Sequence, residues 1–379
     1  MPFTGKATYS AGTTLPEIAE DVADLVAIAA ATETPLLDLL GDPSRPARSV
    51  IHEWLEDAPL PHTGIVESYA DPDSLNVEDG SPFRVNDHIR VGTSTEVMRI
   101  DAISGTELQV TRGFGGTAEG SDPAAGDIVT IIGNPTIEGA DADVSRFTTR
   151  TRVSNVTQIF AATVEVSGSE LAVNQLGVKD EMDYQKAMRL RELLRDLENS
   201  VINGAADETT PGGNADTPRS MRGIIPSIQS HRFAPGVDDF PADTTLTEQQ
   251  LNLALRTIWE SGGTGVDLIV VGGRQKRAIN GFITSNRRYF NSTESYRDMV
   301  SAYESDFGVC RVVLSRHVPP GAVLLLDSAR IGVLPLAGRS FQFKPLARTG
   351  DRESGQVIGE YTLELRNEGA HGLITGLAA

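Results

Sequence analysis

The 379-residue chain is poor in cysteine, lysine and histidine, and it has no long apolar run. Cys310 is the only cysteine, so an intramolecular disulfide and any CxxC zinc or redox site are excluded. It lies in the apolar stretch VCRVVL and is expected to be a buried, inert thiol. The six histidines (52, 62, 88, 231, 317 and 371) never recur at i, i+3 or i, i+4, which argues against a helical zinc site. Apolar runs such as LVAIAAA at 25–31 fall far short of the ~18–20 residues needed to span a bilayer. MPFTGKATYS has no apolar segment of the signal-peptide kind, so a soluble chain on the cytosolic side is expected. Positive charge is also scarce: 33 Lys and Arg face 52 Asp and Glu, for a formal charge of −19. That balance opposes a protein that grips phosphates.

Catalytic motifs are missing too. There is no HExxH, no GxSxG, no P-loop lysine motif and no GxGxxG after a strand. GFGG (113–116) and GGTG (262–265) read as turn glycines. DPDSLNVEDG (71–80) is rich in carboxylates, but Leu75 and Asn76 break the order of a calcium loop, and a solvated acidic loop is expected. Asp141 and Asp143 are no stronger as cation ligands. No catalytic residue, cofactor or metal is therefore assigned.

What is present is an ordered set of elements. Thr14, Pro16 and the acids Glu17, Glu20 and Asp21 start a helix after a polar arm. A short helix follows at TPLLDLLGD, stopped by Gly41 and Pro43. SVIHEWLED (49–57) alternates as a strand, and its expected partner is 146–168, read as a long exposed hairpin arm. Between them, FRVNDHIRVG, TEVMRIDAIS, TELQVTRGF and GDIVTIIGN are short strands separated by turn residues, which predicts a small β-barrel over 62–135. Residues 1–60 carry 10 acids against 3 bases, and 62–135 carry 12 against 4. From Asp180, Ala187, Leu190, Leu194, Leu197 and Val201 recur at spacings of 3 and 4, one stripe along a helix that Gly204 ends. RGIIPSI reads as strand-like. Thr247-Glu-Gln-Gln250 is a capping box for a second helix, and DLIVVGG reads as a central buried strand. GRQKRAINGFIT is a further helix, and the remaining segments alternate as strands, so this half is α+β.

In this order the segments resemble Hong Kong 97-like major capsid proteins of tailed viruses, and within them the group with a β-barrel insertion in the extended loop. The resemblance rests on TPLLDLLG (34–41), the HEW of His52-Glu53-Trp54, RVSNVTQIFAATVEVSGSELAV (152–173), RDLENSVINGA (195–205) and the MRGII of Met221 to Ile225. It covers nearly the whole chain. It implies an N-terminal arm with helices (1–43), an extended loop (44–61 and 136–170) carrying the inserted barrel (62–135), a peripheral domain (171–217 and 341–379) with a spine helix at 180–204, and an axial domain (218–340).

The resemblance implies a structural protein rather than an enzyme, one that self-assembles into pentamers and hexamers of an icosahedral shell around double-stranded DNA. Trp54, Phe160, Ala187, Leu190, Leu194, Leu197 and Val201 are the expected assembly and packing residues. Implied partners are further copies, with a scaffolding protein, portal and minor or decoration proteins; no membrane and only loose genome contact are expected. The place is the virion, and the host cytoplasm during assembly. An encapsulin-like cage on the same fold is the alternative, and an enzyme with a barrel accessory domain is a third reading. With lysines only at 6, 179, 186, 276 and 344, covalent lysine–asparagine cross-linking is not expected.

Overall fold

A computed structural model describes residues 34–41, 45–57, 60–136, 138–139, 147–172, 181–207, 209–238, 240–262, 265–286, 302–347 and 350–378. The helix expected from Thr14 and the acids Asp141 and Asp143 lie outside them. The chain divides into two compact units, Leu55–Arg152 and the remainder.

The short helix α1 (Pro35–Leu40) starts on a proline and stops at Gly41, whose φ of 68° favours glycine. Among the described residues β1 (Ile51–Glu56) pairs only with β8 (Thr151–Val156), making a two-stranded ribbon.

Between these two strands run β2 (Thr63–Asp71), β3 (Ser74–Val77), β4 (His88–Val91), β5 (Met98–Ser104), β6 (Glu107–Thr111) and β7 (Ile128–Gly133). They form a closed barrel in the order β2-β3-β6-β5-β4-β7. Alternate residues point inward: Val66, Leu75, Val77, Ile89, Val91, Met98, Ile100, Leu108, Val110 and Val129 fill the interior with Phe83. A barrel this small is packed solid with side chains. Closure also removes every strand edge, which matters for a β-rich insertion. Six strands form where four were expected. The acidic stretch 71–80, expected to be a solvated loop, contains β3. Its Leu75 and Val77 are fully buried; Asp71 ends β2, and Asp73, Glu78 and Asp79 lie in the connections on either side of β3.

β9 (Gln158–Ser167) corrects the reading of 146–168 as one exposed arm. Only β8 belongs to the ribbon. β9 pairs antiparallel with the long strand β17 (Arg352–Leu365), from Ser167 opposite Arg352 to Gln158 opposite Tyr361. Its alternating pattern buries Phe160, Val164 and Val166, so Ile159, Ala161, Thr163, Glu165 and Ser167 are the outer face of a packed strand. After the short α2 (Gly168–Ala172) comes α3 (Glu181–Asn203), 23 residues packed along that sheet. RGIIPSI holds a short helix, α4 (Ile224–Ser227), where a strand was expected; Pro226 lacks the N–H that a sheet ladder requires.

The second sheet comprises β10 (Arg232–Phe233), β11 (Leu268–Val271), β12 (Ala302–Ser305), β13 (Gly308–Leu314), β14 (Val323–Leu326) and β18 (Gly372–Ile374), in the order β10-β18-β14-β11-β13-β12. α5 (Glu248–Glu260), with its full Thr247/Gln250 capping box, and α6 (Gly273–Asn286) accompany it. All four residues of β11 are buried. Leu268 and Val270 enter one core with α3; Ile269 and Val271 enter another with α5 and Ile279 of α6. This sheet is thus the wall between two cores.

β15 (Ile331–Pro335) and β16 (Gln342–Pro345) pair with β17 on the edge opposite β9. Sheet membership therefore departs from the expected division at 340: β15 joins the sheet of β17, and β18 joins the other. Cys310 is buried, its thiol 3.2 Å from the Val266 carbonyl.

Candidate assembly interface

The ribbon β1–β8 is anchored at its root by buried polar groups. Glu364, on β17, has a side chain 1% exposed. It accepts from Arg45 Nη2 at 2.9 Å and Arg366 Nε at 2.5 Å, and its Oε2 lies 2.7 Å from His52 Nε2. Burial alone would raise its pKa; His52, Arg366 and Arg45 more than offset that and hold it below the usual carboxylate range. Ala47, between Arg45 and β1, bridges to Leu336 just past the end of β15. Both Arg45 and His52 flank the start of β1, so one carboxylate fixes where the ribbon leaves the core.

The other strand is fixed by Asn155. Its Nδ2 donates to the carbonyls of Arg222 (2.9 Å) and Leu363 (2.8 Å), and its Oδ1 accepts from the N–H groups of Arg222 and Val156. Two residues on, Thr157 donates to Glu360 at 2.6 Å. Glu360 also pairs with Arg219 and with Arg339, whose Nε is 2.7 Å away. Gln158 accepts from the Met221 N–H at 3.1 Å. The NxTQIF stretch is thus the hinge at which the chain passes from ribbon to core sheet. MRGII supplies its backbone partners. A Cβ on Gly204 would come within 2.7 Å of the Met221 carbonyl, so glycine is needed where the end of α3 meets that segment.

The expected packing residues divide. Phe160, Leu197 and Val201 are buried in the core shared by α3 and the two sheets. Phe160 sits edge-on to Phe341 with ring centroids 6.4 Å apart. Leu194 and Trp54 are half-buried, and Trp54 lies 5.8 Å from the His52 ring. Ala187 and Leu190 are exposed, contrary to the single stripe expected. The buried face of α3 instead runs through Met182, Leu193, Leu197, Glu198, Val201 and Ile202. It includes an acid that a hydrophobic count skips.

That acid, Glu198, is fully buried. It accepts from the N–H groups of Leu36 (3.2 Å) and Leu37 (3.3 Å) and from the Ser315 hydroxyl (3.1 Å). It thereby satisfies backbone donors that α1 leaves open at its start. Burial dominates over these bonds and pushes its pKa up to about 7.

A cleft of about 320 Å³ near the hinge is lined by Ser154, Asn155, Asp207, Pro211 and Arg222, among others. Asp207 is tied into its own turn: Thr209 and Thr210 donate to its carboxylate and hold its pKa down to about 2. Ser154 has no histidine beside it among the described lining residues, and no metal-binding cluster occurs among the described residues. No helix of the described chain is long and apolar enough to cross a membrane.

The exposed large apolar residues mark the surfaces available for association. Ile51 and Leu55 stand on one face of the ribbon, and Phe147 precedes β8. Ile65 and Ile128 lie side by side on the barrel. Trp259 on α5, its ring centroid 5.8 Å from that of the half-buried Phe307, and Val309 on β13 are exposed as well.

No curated protein matches the chain. Among solved structures, the capsid of cyanophage A-1(L) aligns over 98% of this chain and 100% of its own, with TM-score 0.54 and 14% identity. The capsid of Myoviridae phage XM1 aligns over 94% and 97%, with TM-score 0.52 and 11% identity. The encapsulin complex holo-SrpI from Synechococcus elongatus PCC 7942 covers 61% of this chain and 78% of its own, with TM-score 0.43 and 10% identity, a likeness too weak to argue from. The shared architecture is the Hong Kong 97-like capsid fold. The family model described as SU10 major capsid protein matches residues 3–378, so the chain belongs to that family of tailed-phage capsid proteins.

Proposed function

We propose that this major capsid protein assembles with copies of itself into pentamers and hexamers that tile an icosahedral shell around a double-stranded DNA genome. The observation that carries this reading is the ribbon. A two-stranded ribbon is marginally stable alone. Here its root is clamped through Glu364 and Asn155, while Ile51 and Leu55, on the face of β1 opposite His52, stay exposed. A rigid root with an uncovered apolar face calls for a neighbouring subunit as its cover. Contacts between unlike patches that close into rings then build a shell.

In this reading, 44–57 and the ribbon strand β8 belong to the extended loop over a neighbour, 62–135 is its inserted module and 1–43 the arm; α3 with the sheet of β9, β15, β16 and β17 is the peripheral domain, and the sheet of β10–β14 and β18 with α5 and α6 is the axial domain. Ala187 and Leu190 face a neighbouring copy rather than their own sheet. The charge of −19 keeps genome contact loose. Scaffolding, portal and decoration proteins are the further partners, and the host cytoplasm is the place of assembly. The role is structural, without catalysis.

Electron microscopy and sedimentation of the purified chain over a range of concentrations test the reading. Rings or closed shells are expected. Monomers at every concentration would overturn it.

A further inference from the structure

The barrel carries a groove of about 350 Å³ whose lining includes Pro61, Ile65, Pro82 and Ile128, with Glu78 and Asp79 among its walls. Ile65 and Ile128 are register partners on β2 and β7, yet they are 42% and 55% exposed. The floor is rigid. The Phe83 ring fills the space above Gly64, so that a Cβ there would come within 2.7 Å of it. Asp79 is held in place by the N–H and hydroxyl of Ser81, both at 2.8 Å.

The same unit presents a knob. Phe147 is 83% exposed, and Arg150 and Arg152 follow it, with no acid between 147 and 152. Arg150 reaches Asp57 only at 3.6 Å. The segment is aromatic and positively charged, whereas 62–135 carries 12 acids against 4 bases.

We propose that the acidic apolar groove of one copy receives Phe147 of a second copy, with that copy's Arg150 and Arg152 facing Glu78 and Asp79. This rests on the shell-assembly reading and specifies one of its contacts. The occupant is a second copy because its charge complements the groove and because Phe147 is 83% exposed. The groove has the size of an ordinary binding cleft, roughly 300–1,000 Å³. Knob and groove are different patches, so each copy gives one contact and receives one, and the contact continues from subunit to subunit. Burying one aromatic anchor strengthens each contact by about tenfold to a hundredfold.

The test uses the full chain. First, wild-type protein is assembled and imaged. Then the double variant Phe147→Cys with Ile128→Cys is assembled and oxidised with diamide; Cys310 is buried and stays in place. Covalent dimers and a ladder above them on a non-reducing gel are expected, and neither single variant should give the ladder. Monomer alone, or an internally cross-linked monomer, would overturn the proposal. Hydrogen exchange on unmutated protein is the second measurement: 61–66, 78–82 and 147–152 should become protected on assembly, and unchanged exchange there overturns it. Reversing Glu78 and Asp79 to Arg should raise the concentration needed for assembly about tenfold or more, and adding Arg150→Glu with Arg152→Glu should restore it. Failure of wild type to form shells would remove the assembly reading itself; shells without the cross-link or the protection would remove only this contact, leaving another protein or solvent as occupant of the groove.

Discussion

The carboxylate of Glu198 accepts a hydrogen bond from the backbone N–H of Leu36, 162 residues earlier, at 3.2 Å. The bond joins α3 to α1, and Ser315 ties both to the end of β13.

Its titration has a definite sign. The ordinary carboxyl value is 4.5, and burial raises that of Glu198 to about 7. Between those values the folded chain keeps a proton that the unfolded chain has lost. The contribution of this group to stability therefore falls as pH rises through that window, by on the order of 3 kcal/mol. Urea denaturation of unassembled subunit should show this loss between pH 5 and pH 8, and Glu198→Gln should flatten it. An identical pH profile for parent and variant would refute the assignment.

In the barrel the sign is opposite. The Arg112 guanidinium is the largest influence on Glu96 and, with the N–H groups of Gly120 and Gly113, holds its pKa down to about 2. That stabilisation is complete above about pH 4.5 and disappears as pH falls toward 2. Arg112→Met should cost the barrel ~3–5 kcal/mol, because it strands a buried charge. Hydrogen exchange over 95–124 should accelerate in the variant at neutral pH; unchanged protection would mean that Arg112 is dispensable.

Two leucines of α3 separate folding from assembly. Leu197 is 2% exposed and Leu190 is 36% exposed. Leu197→Asp should leave no folded subunit by circular dichroism, since it buries an unpaired charge. Leu190→Asp should fold with stability within about 0.5 kcal/mol of the parent. If Leu190 faces a neighbour, shells should nonetheless form at higher concentration only. A folded Leu197→Asp protein would refute this placement of the helix.

Phe343 covers Gly355 on the neighbouring strand so closely that a Cβ on the glycine would overlap its ring. Lys186 lies over the same ring, 4.4 Å from its centroid, and so ties the start of α3 to the sheet. Gly355→Ala should destabilise by ~1–3 kcal/mol through overpacking. Combining it with Phe343→Ala should recover part of that loss in thermal melts, whereas simple additivity would show that the ring is free to move aside.

The local order of the chain was legible in the residues: the capping box of α5, the four buried residues of β11, the extent of α3 and the barrel's turn-separated strands. What escaped depended on partners distant in sequence. β9 reads as a wet exposed strand because Gln158, Thr163, Glu165 and Ser167 are polar, and only pairing with distant β17 and packing beneath α3 bury Phe160, Val164 and Val166. The spacing from Ala187 to Val201 fits a stripe, but the helix turns a face containing Glu198 toward the core, because α1 needs an acceptor there. Glu360, Thr362 and Glu364 form a polar row in the second half of β17, alternating with Tyr361, Leu363 and Leu365. That row was the visible trace of the anchoring network, though its arginines and His52 could not be assigned to it by spacing. The family-like words were legible as words; their physical work, at Asn155, Thr157 and Gln158, appears only in three dimensions.

The barrel begins and ends on paired neighbours, with Thr63 opposite Thr130 and the Ile131 N–H bonded to the His62 carbonyl at 2.8 Å. Its entrance and exit are therefore one strand spacing apart, about 5 Å. To the rest of the chain such an insertion is equivalent to a tight turn. A lineage could gain, lose or exchange the whole module at the DNA level without redesigning the scaffold, and a foreign domain with equally close termini could be grafted there for display.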